Sequence, residues 1–282
     1  MTKIAIISNS DKDPGLEFSH ELVKSINKKG AIGYIACDIS TCENDDRAGA
    51  DFESDLFICT GGDGTFLRAA RMLYKHRKPI MGINLGTLGF LSEVDRNEID
   101  MKLDDIISGN YTVQERFMLK VVLKKSDGGI FDDIALNDVV ISRSPLSRIM
   151  QLKTLVNGTV VDNFRGDGVI ISTPTGSTGY SLSAGGPIVE PDVDLFIVTP
   201  ICPHTLIARS FIATAERTLG VEINDTYMHT AIMTIDGQTH VEVAGGDFVS
   251  ICGNTEKVMM LKVSDKSFFD LLRNKIHDGG IK

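Results

Sequence analysis

Nothing in this 282-residue sequence approaches the length of an apolar membrane span. The opening stretch MTKIAIISNS runs straight into an apolar segment too short for a signal-peptide core followed by a cleavage site, so a cytoplasmic protein with no membrane partner is expected. Positive charge is also scarce. Lys and Arg number 29 against 38 Asp and Glu, and the net charge of -9 argues against nucleic acid as a general partner. An anionic ligand must then be held by local donors, such as backbone N–H groups and a few arginines. The five cysteines (Cys37, Cys42, Cys59, Cys202 and Cys252) form neither a zinc spacing nor a disulfide framework. Cys37 and Cys42 have no matching second pair, and a reducing setting is expected. The six histidines make no H-E-x-x-H pattern. Ser177 and Ser181 sit in no G-x-S-x-G elbow, which sets hydrolysis aside. His204, in PICPHTL, reads as structural, and the charged run Glu43 to Arg47 reads as a solvated loop. There is no low-complexity linker and no repeat of solenoid length.

What is present is an ordinary soluble composition, 42% hydrophobic and 24% charged, arranged in two patterns. Apolar runs at Lys3 to Ser8, Ile32 to Cys37, Asp55 to Thr60 and Pro79 to Asn84 read as buried strands. Helical spacing separates them. Leu16, Leu22, Val23 and Ile26 share one face with Gly30 as the stop, and Phe66, Ala70, Leu73 and Tyr74 share another, ended by Pro79. A third helix near Asn97 to Ser108 turns Ile99, Leu103, Ile106 and Ile107 inward and stops at Gly109. Strands alternating with helices predict an α/β domain over residues 1–110 with a parallel, Rossmann-like sheet. From about Tyr111 the runs become short and strand-like, from FMLKVVLKK to KVMMLKV. Turn signals at Asp127-Gly128, Asn157-Gly158, Asp236-Gly237 and Gly245-Gly246 punctuate them. A mostly antiparallel all-β domain is expected over 111–264. The tail SFFDLLRNKI returns to helical spacing through Phe268, Leu271, Leu272 and Ile276, and residues 265–282 are expected to pack back on the first domain.

Two glycine-rich segments carry the chemistry. ICTGGDGTFL follows a buried strand and opens a helix, a context that leaves backbone N–H groups free for an anion and lets phosphate approach Gly61, Gly62, Gly64 and Thr65 closely. It is neither G-x-G-x-x-G nor a P-loop, because no Lys-Ser/Thr pair follows. On this stretch alone, a helix cap by Asp63 or Thr65 and a phosphate-holding loop with a working carboxylate are equally compatible. The second segment, FRGDGVIISTPTGSTGYSLSAGGPIV, combines Arg165 and Asp167 with glycines and hydroxyls able to line a sugar, amide or phosphate site. Its bland alternative is a pair of β-turns with a helix cap at Ser177 or Thr178.

GGDGT, GINLGTLGFL, Asn137-Asp138, TPTGSTGYSLSAGGPI, TPICPHTL and DGQ (Asp236 to Gln238) occur in the order found in the NAD kinase family, which the chain resembles over nearly its whole length. GGDGT by itself also resembles diacylglycerol-type lipid kinases and phosphofructokinases; the TPTGST block in register with the rest is specific. The resemblance implies transfer of the γ-phosphoryl group of ATP, with Mg²⁺, or of polyphosphate, to the 2′-hydroxyl of NAD's adenosine ribose. It implies Asp63 as the base, with Gly64 and Phe90 beside the dinucleotide and Asn137 and Asp138 contacting it. Arg165 and Asp167 match contacts toward the nicotinamide half. Thr178, Gly179, Tyr180 and Ser183 match the adenine side, Thr175 is a further residue expected to bind NAD, and Gln238 matches a later ligand contact. No protein-held metal cluster is expected, and the resemblance suggests a homodimer or homotetramer. The family usually has Glu in place of Asp138 and Ala in place of Gly179. A lipid kinase would need an apolar or basic membrane-facing surface that this acidic chain offers little sign of. A non-catalytic dinucleotide sensor of the same fold would not need Asp63.

Overall fold

The computed structural model describes residues 1–41, 53–86, 89–145, 147–205, 207–264 and 266–278. Cys42, the run Glu43 to Arg47, Thr87 and Leu88 of GINLGTLGFL, Leu206, and the side chain of Ile276 lie outside what is described. In chain order the elements begin with β1 (Lys3–Ser8), α1 (Glu17–Lys28), β2 (Ile32–Asp38), β3 (Leu56–Gly61), α2 (Asp63–Leu73), β4 (Ile80–Asn84), β5 (Val94–Asp95), α3 (Ile99–Ser108) and β6 (Thr112–Arg116). They continue with β7 (Leu119–Lys124), β8 (Ile130–Ala135), β9 (Asp138–Arg143), β10 (Met150–Val156), β11 (Thr159–Gly166), β12 (Gly168–Ser172), α4 (Tyr180–Ser183) and β13 (Leu195–Ile201). The last are β14 (Phe211–Thr214), β15 (Leu219–Ile223), β16 (Ala231–Ile235), β17 (Thr239–Val243), β18 (Phe248–Gly253), β19 (Val258–Lys262) and α5 (Phe268–Asp278). Two compact units result, Met1–Glu115 with Val258–Lys282, and Arg116–Lys257. Among the described residues no helix is long and apolar enough to cross a membrane.

The first unit is built on a sheet in the order β2-β1-β3-β4-β19-β6, with β5 beside β4. The pairs β1·β2, β1·β3, β3·β4, β4·β5 and β4·β19 are all parallel. Central parallel strands are covered on both faces, which is why β3 and β4 are apolar and buried along their length. Phe18, Leu22 and Ile26 of α1 and Ile99, Leu103 and Ile106 of α3 share one core with Ile4, Ile6, Ile58 and Ile83 of the sheet. Both helices stop at glycines in the left-handed region, Gly30 (φ 86°) and Gly109 (φ 81°). The run KVMMLKV, grouped by its alternation with the β-rich region, enters this sheet instead, with Met260 opposite Ile80. Alternation reports a strand and not its partner, so only the three-dimensional pairing assigns it. In α5, Phe268 packs on Phe90 with ring centroids 6.3 Å apart, and the Lys275 ammonium stands 5.4 Å over the Phe90 ring.

The second unit has two six-stranded antiparallel sheets, ordered β11-β10-β15-β18-β7-β8 and β14-β13-β12-β9-β16-β17. Inward side chains from both form one core: Leu119, Val121, Leu152, Val221 and Ile251 from the first, and Val139, Ile141, Val169, Phe196 and Met233 from the second. The turns at Asn157-Gly158 (φ 49° and 79°) and Asp236-Gly237 (φ 50° and 64°) place two successive residues in the left-handed region, as tight hairpins require. Phe196 is fully buried and meets Phe117 edge-on at 5.4 Å. Phe196→Ala should therefore cost about 3–5 kcal/mol in urea denaturation. Ile130→Ala, on the exposed edge strand β8, should stay within about 0.5 kcal/mol of the parent.

Candidate functional site

In the first unit the strand-to-helix turn after β3 is made entirely of glycine and acid. Gly62 occupies the helix cap and Asp63 is the first helical residue, so neither Asp63 nor Thr65 caps α2. The negative charge of Asp63 suits the positive end of the helix. Its carboxylate instead reaches across to the GINLGTLGFL stretch, accepting the N–H groups of Phe90 (2.9 Å) and Leu91 (3.2 Å). The approach is so close that a Cβ on Gly89 would stand 1.8 Å from Asp63 Oδ1, and only glycine fits there. Gly61 is excluded from carrying a side chain by Thr65, whose Oγ1 would lie 2.5 Å away. Around Gly62 and Gly64 the space is open: apart from their chain neighbours and the helix's own backbone, no atom lies within 4 Å of an added Cβ. Thr65 is buried, and its hydroxyl oxygen accepts the Asn9 side-chain N–H at 2.8 Å. That bond leaves the Thr65 hydroxyl proton free to point elsewhere.

In the second unit Asn137, Asp138, Thr175 and Gly179 are brought together. The stretch Thr175–Thr178 forms one 3-10 turn and leads into the single turn of α4 without a side-chain cap, so the capping alternative for Ser177 or Thr178 is not what these residues do. Ser177 Oγ instead bridges to the backbone of Val189, donating to its carbonyl and accepting its N–H, both at 3.1 Å. Gly176 lies against the Asn137 carbonyl, where a Cβ would come within 2.1 Å of the oxygen. A Cβ on Gly179, in contrast, would meet nothing nearer than the Gly176 carbonyl at 3.3 Å, with Asn137 Nδ2 at 3.6 Å and Asp138 Oδ2 at 3.8 Å. A methyl at 179 would thus lie over the two polar side chains and press only slightly on the Gly176 carbonyl. Asn137 Oδ1 and Thr175 Oγ1 are buried without a hydrogen-bond partner in the protein. Asp138 is buried as well, and burial together with the nearby charge of Asp236 pushes its carboxyl up to about 7. Buried polar atoms without a partner in the protein are what a polar ligand can satisfy on binding.

The remaining candidates are more dispersed. Arg165 is exposed on β11. Asp167 takes a 2.6 Å hydrogen bond from Arg143 Nε, and Arg143 also donates to the Pro145 and Ser147 carbonyls. Arg143 was not singled out from sequence, and nothing local in VVISRS marks it. Tyr180 and Ser183 lie on exposed faces of α4, Thr178 Oγ1 donates to the Thr175 carbonyl, and the Gln238 N–H donates to the Ile235 carbonyl in the hairpin turn. His204 is exposed, and its backbone N–H donates to the Arg165 carbonyl at 2.7 Å. Among the described residues no three His, Cys, Asp or Glu side chains converge to hold a cation.

Two expectations follow from this geometry. Gly176→Ala drives a methyl into a backbone carbonyl and should cost about 1–3 kcal/mol. Gly179→Ala asks the Gly176 carbonyl to give by only a few tenths of an ångström and should cost less than Gly176→Ala in calorimetry. Asp138 gives a pH signature. A carboxyl whose pKa rises on folding holds its proton more tightly in the native state. Its contribution to stability is therefore full below its ordinary value of 3.8 and is lost as pH rises through about 7. Asp138→Asn, always uncharged, should melt higher than the parent at pH 8, and the advantage should vanish near pH 4.

Residues 20–111 match the ATP-NAD kinase N-terminal domain family and residues 136–263 match the ATP-NAD kinase C-terminal domain family. The NAD kinase of Acetivibrio thermocellus is 48% identical over 285 residues, covering 99% of both chains. That of Ruminiclostridium cellulolyticum is 42% identical, again over 99% of both. Among solved structures, yeast NADH kinase complexed with NADH superposes with a TM-score of 0.84, covering 100% of this chain and 89% of that one at 23% identity, a likeness of fold. An NAD kinase from Archaeoglobus fulgidus in complex with ATP gives a TM-score of 0.77 at 26% identity, covering 98% of this chain and 99% of that one. With both family domains matched and relatives spanning it end to end, the chain belongs to the NAD kinase family.

Proposed function

We propose that the chain transfers the γ-phosphoryl group of ATP to the 2′-hydroxyl of the adenosine ribose of NAD, forming NADP. The observation that carries this reading is the Asp63 carboxylate, oriented by two backbone N–H groups beside the open Gly62 and Gly64 backbone, in a chain related to NAD kinases from end to end. A ribose hydroxyl is a poor nucleophile at neutral pH, and a carboxylate within hydrogen-bond reach accepts its proton as the new P–O bond develops. Two oxygens offer about four acceptor sites, so the bonds to Phe90 and Leu91 leave capacity for that proton. The N–H groups of Gly61, Gly62, Gly64 and Thr65 serve the phosphates, as donors at a helix N-terminus do. Mg²⁺ arrives on the phosphates of ATP and offsets their charge when bound.

In the second unit, Asn137, Asp138 and Thr175 hold the dinucleotide through the polar atoms the fold leaves unpaired. Thr178, Gly179, Tyr180 and Ser183 serve the adenine side, Arg165 and Asp167 the nicotinamide side, and Phe90 and Gln238 complete the contacts. The Arg143 pair holds Asp167 in place for this. No disulfide joins the four described cysteines, in keeping with a cytoplasmic, reducing setting, and the family likeness supports a homo-oligomer.

Incubation of the purified protein with Mg-ATP and NAD should yield NADP. Asp63→Asn should lower kcat by about 10²–10⁴-fold with NAD binding retained in calorimetric titration. Near-parent turnover would remove Asp63 as base. NAD binding without any NADP from the unaltered protein would favour a dinucleotide sensor, and phosphorylation of diacylglycerol would favour a lipid kinase.

A further inference from the structure

The hairpin turn between β16 and β17 begins with an acid, and the turn does not need one. Asp236 and Gly237 both sit at positive φ, where Asn-Gly would serve equally well. The carboxylate does something an amide cannot. Its Oδ2 accepts the Leu136 N–H at 2.9 Å, and its Oδ1 accepts the N–H groups of Asn137 at 2.7 Å and Asp138 at 3.1 Å. Asp236's own N–H donates to the Asp138 carbonyl at 2.9 Å. From the other side Thr173 donates its hydroxyl to the Leu136 carbonyl at 2.6 Å and its N–H to the Asn137 carbonyl at 2.9 Å. Every backbone donor and acceptor of Leu136, Asn137 and Asp138 is thereby satisfied. Their side chains are not: Asn137 Oδ1 is buried without a partner, and no side-chain hydrogen bond reaches the Asp138 carboxyl among the described residues.

We propose that Asp236 is the positioning residue of the dinucleotide-binding turn, fixing Asn137 and Asp138 through three successive backbone N–H groups and setting its charge against the Asp138 carboxyl. An asparagine at 236 would present an NH₂ group to one of the three N–H donors and remove the charge. The proposal rests on the reading that Asn137 and Asp138 hold NAD. The surroundings of Asp138 make Asp236 the dominant charge there. The flanking strands β12 and β16 carry no ionisable side chain, and residues 173–183 carry only Tyr180. Arg143, at the far end of β9, is paired with Asp167, and Asp133 of β8 takes a hydrogen bond from Thr239.

The test combines carboxyl-detected NMR of the ligand-free protein with NAD affinity, in the parent and in Asp236→Asn. In the parent, Asp138 should titrate near neutrality and the amides of residues 136–138 should exchange as slowly as those of the sheet. In Asp236→Asn the Asp138 midpoint should fall by about one pH unit or more, staying above the ordinary carboxyl range because burial persists. The same amides should exchange faster, and the KM for NAD should rise about tenfold or more with the KM for ATP unchanged. A weaker KM for NAD without movement of either NMR readout would overturn the positioning role. If the variant fails to fold, rapid exchange of residues 136–138 in the parent alone would do the same. Movement of both NMR readouts with NAD affinity untouched would instead remove Asn137 and Asp138 as dinucleotide contacts.

Discussion

The Asp63 carboxylate takes the N–H groups of Phe90 and Leu91, and the same kind of bond holds loop after loop in place. Asp13 accepts the N–H groups of Phe18 and Ser19 at the start of α1. Glu93 accepts those of Val263 and Ser264 while pairing with Lys262, and Asp247 accepts those of Ser126 and Ala244. Asp236 takes three in a row. Loops cannot satisfy their own N–H groups as helices and strands do, and an orphaned buried donor is costly. A charged acceptor bridging two or three of them solves the problem with one side chain. Several of these acids are buried at 8% exposure or less, so part of the chain's acidity is directed inward at its own backbone.

The glycines make these bonds geometrically possible. At Gly89 and Gly176 another group stands where a side chain would begin: an added Cβ would lie 1.8 Å from the Asp63 carboxylate and 2.1 Å from the Asn137 carbonyl. Gly62 and Gly64 have the opposite character, with open space where a side chain would be. The glycines of these segments therefore divide into residues that are small because protein presses on them and residues with open space around them.

Much of this was legible in the sequence, and the gaps have physical causes. The first three helices and β1 to β4 stand out because burial on both faces and amphipathic spacing leave strong patterns. The hairpin turns were legible because Asn-Gly and Asp-Gly select positive φ. Strands β8, β15 and β18 went unread. β8 carries Asp132 and Asp133 on an edge, β15 contains Gly220, and β18 follows a double glycine, so in each case turn-like residues mask the alternation. The destination of β19 was invisible, since a strand's partner is not written in its own side chains. In the site, the glycine-bearing loops and the Asp236-Gly237 turn were found from sequence, but what Arg143, Thr173 and Asp236 hold in place was not, because each acts on neighbours distant in the chain.

The place of β19 between β4 and β6 has a consequence for biosynthesis. The ribosome delivers β1 to β4 and β6 within the first 116 residues, yet the strand that completes the middle of that sheet spans Val258–Lys262. Until it emerges, the nascent first unit exposes an unpaired strand edge beside apolar β4, while the second unit, continuous from Arg116 to Lys257, already has all of its strands. Closure of the first unit thus waits until the second unit has been made, and a chain cut short before Val258 would present an open and adhesive sheet.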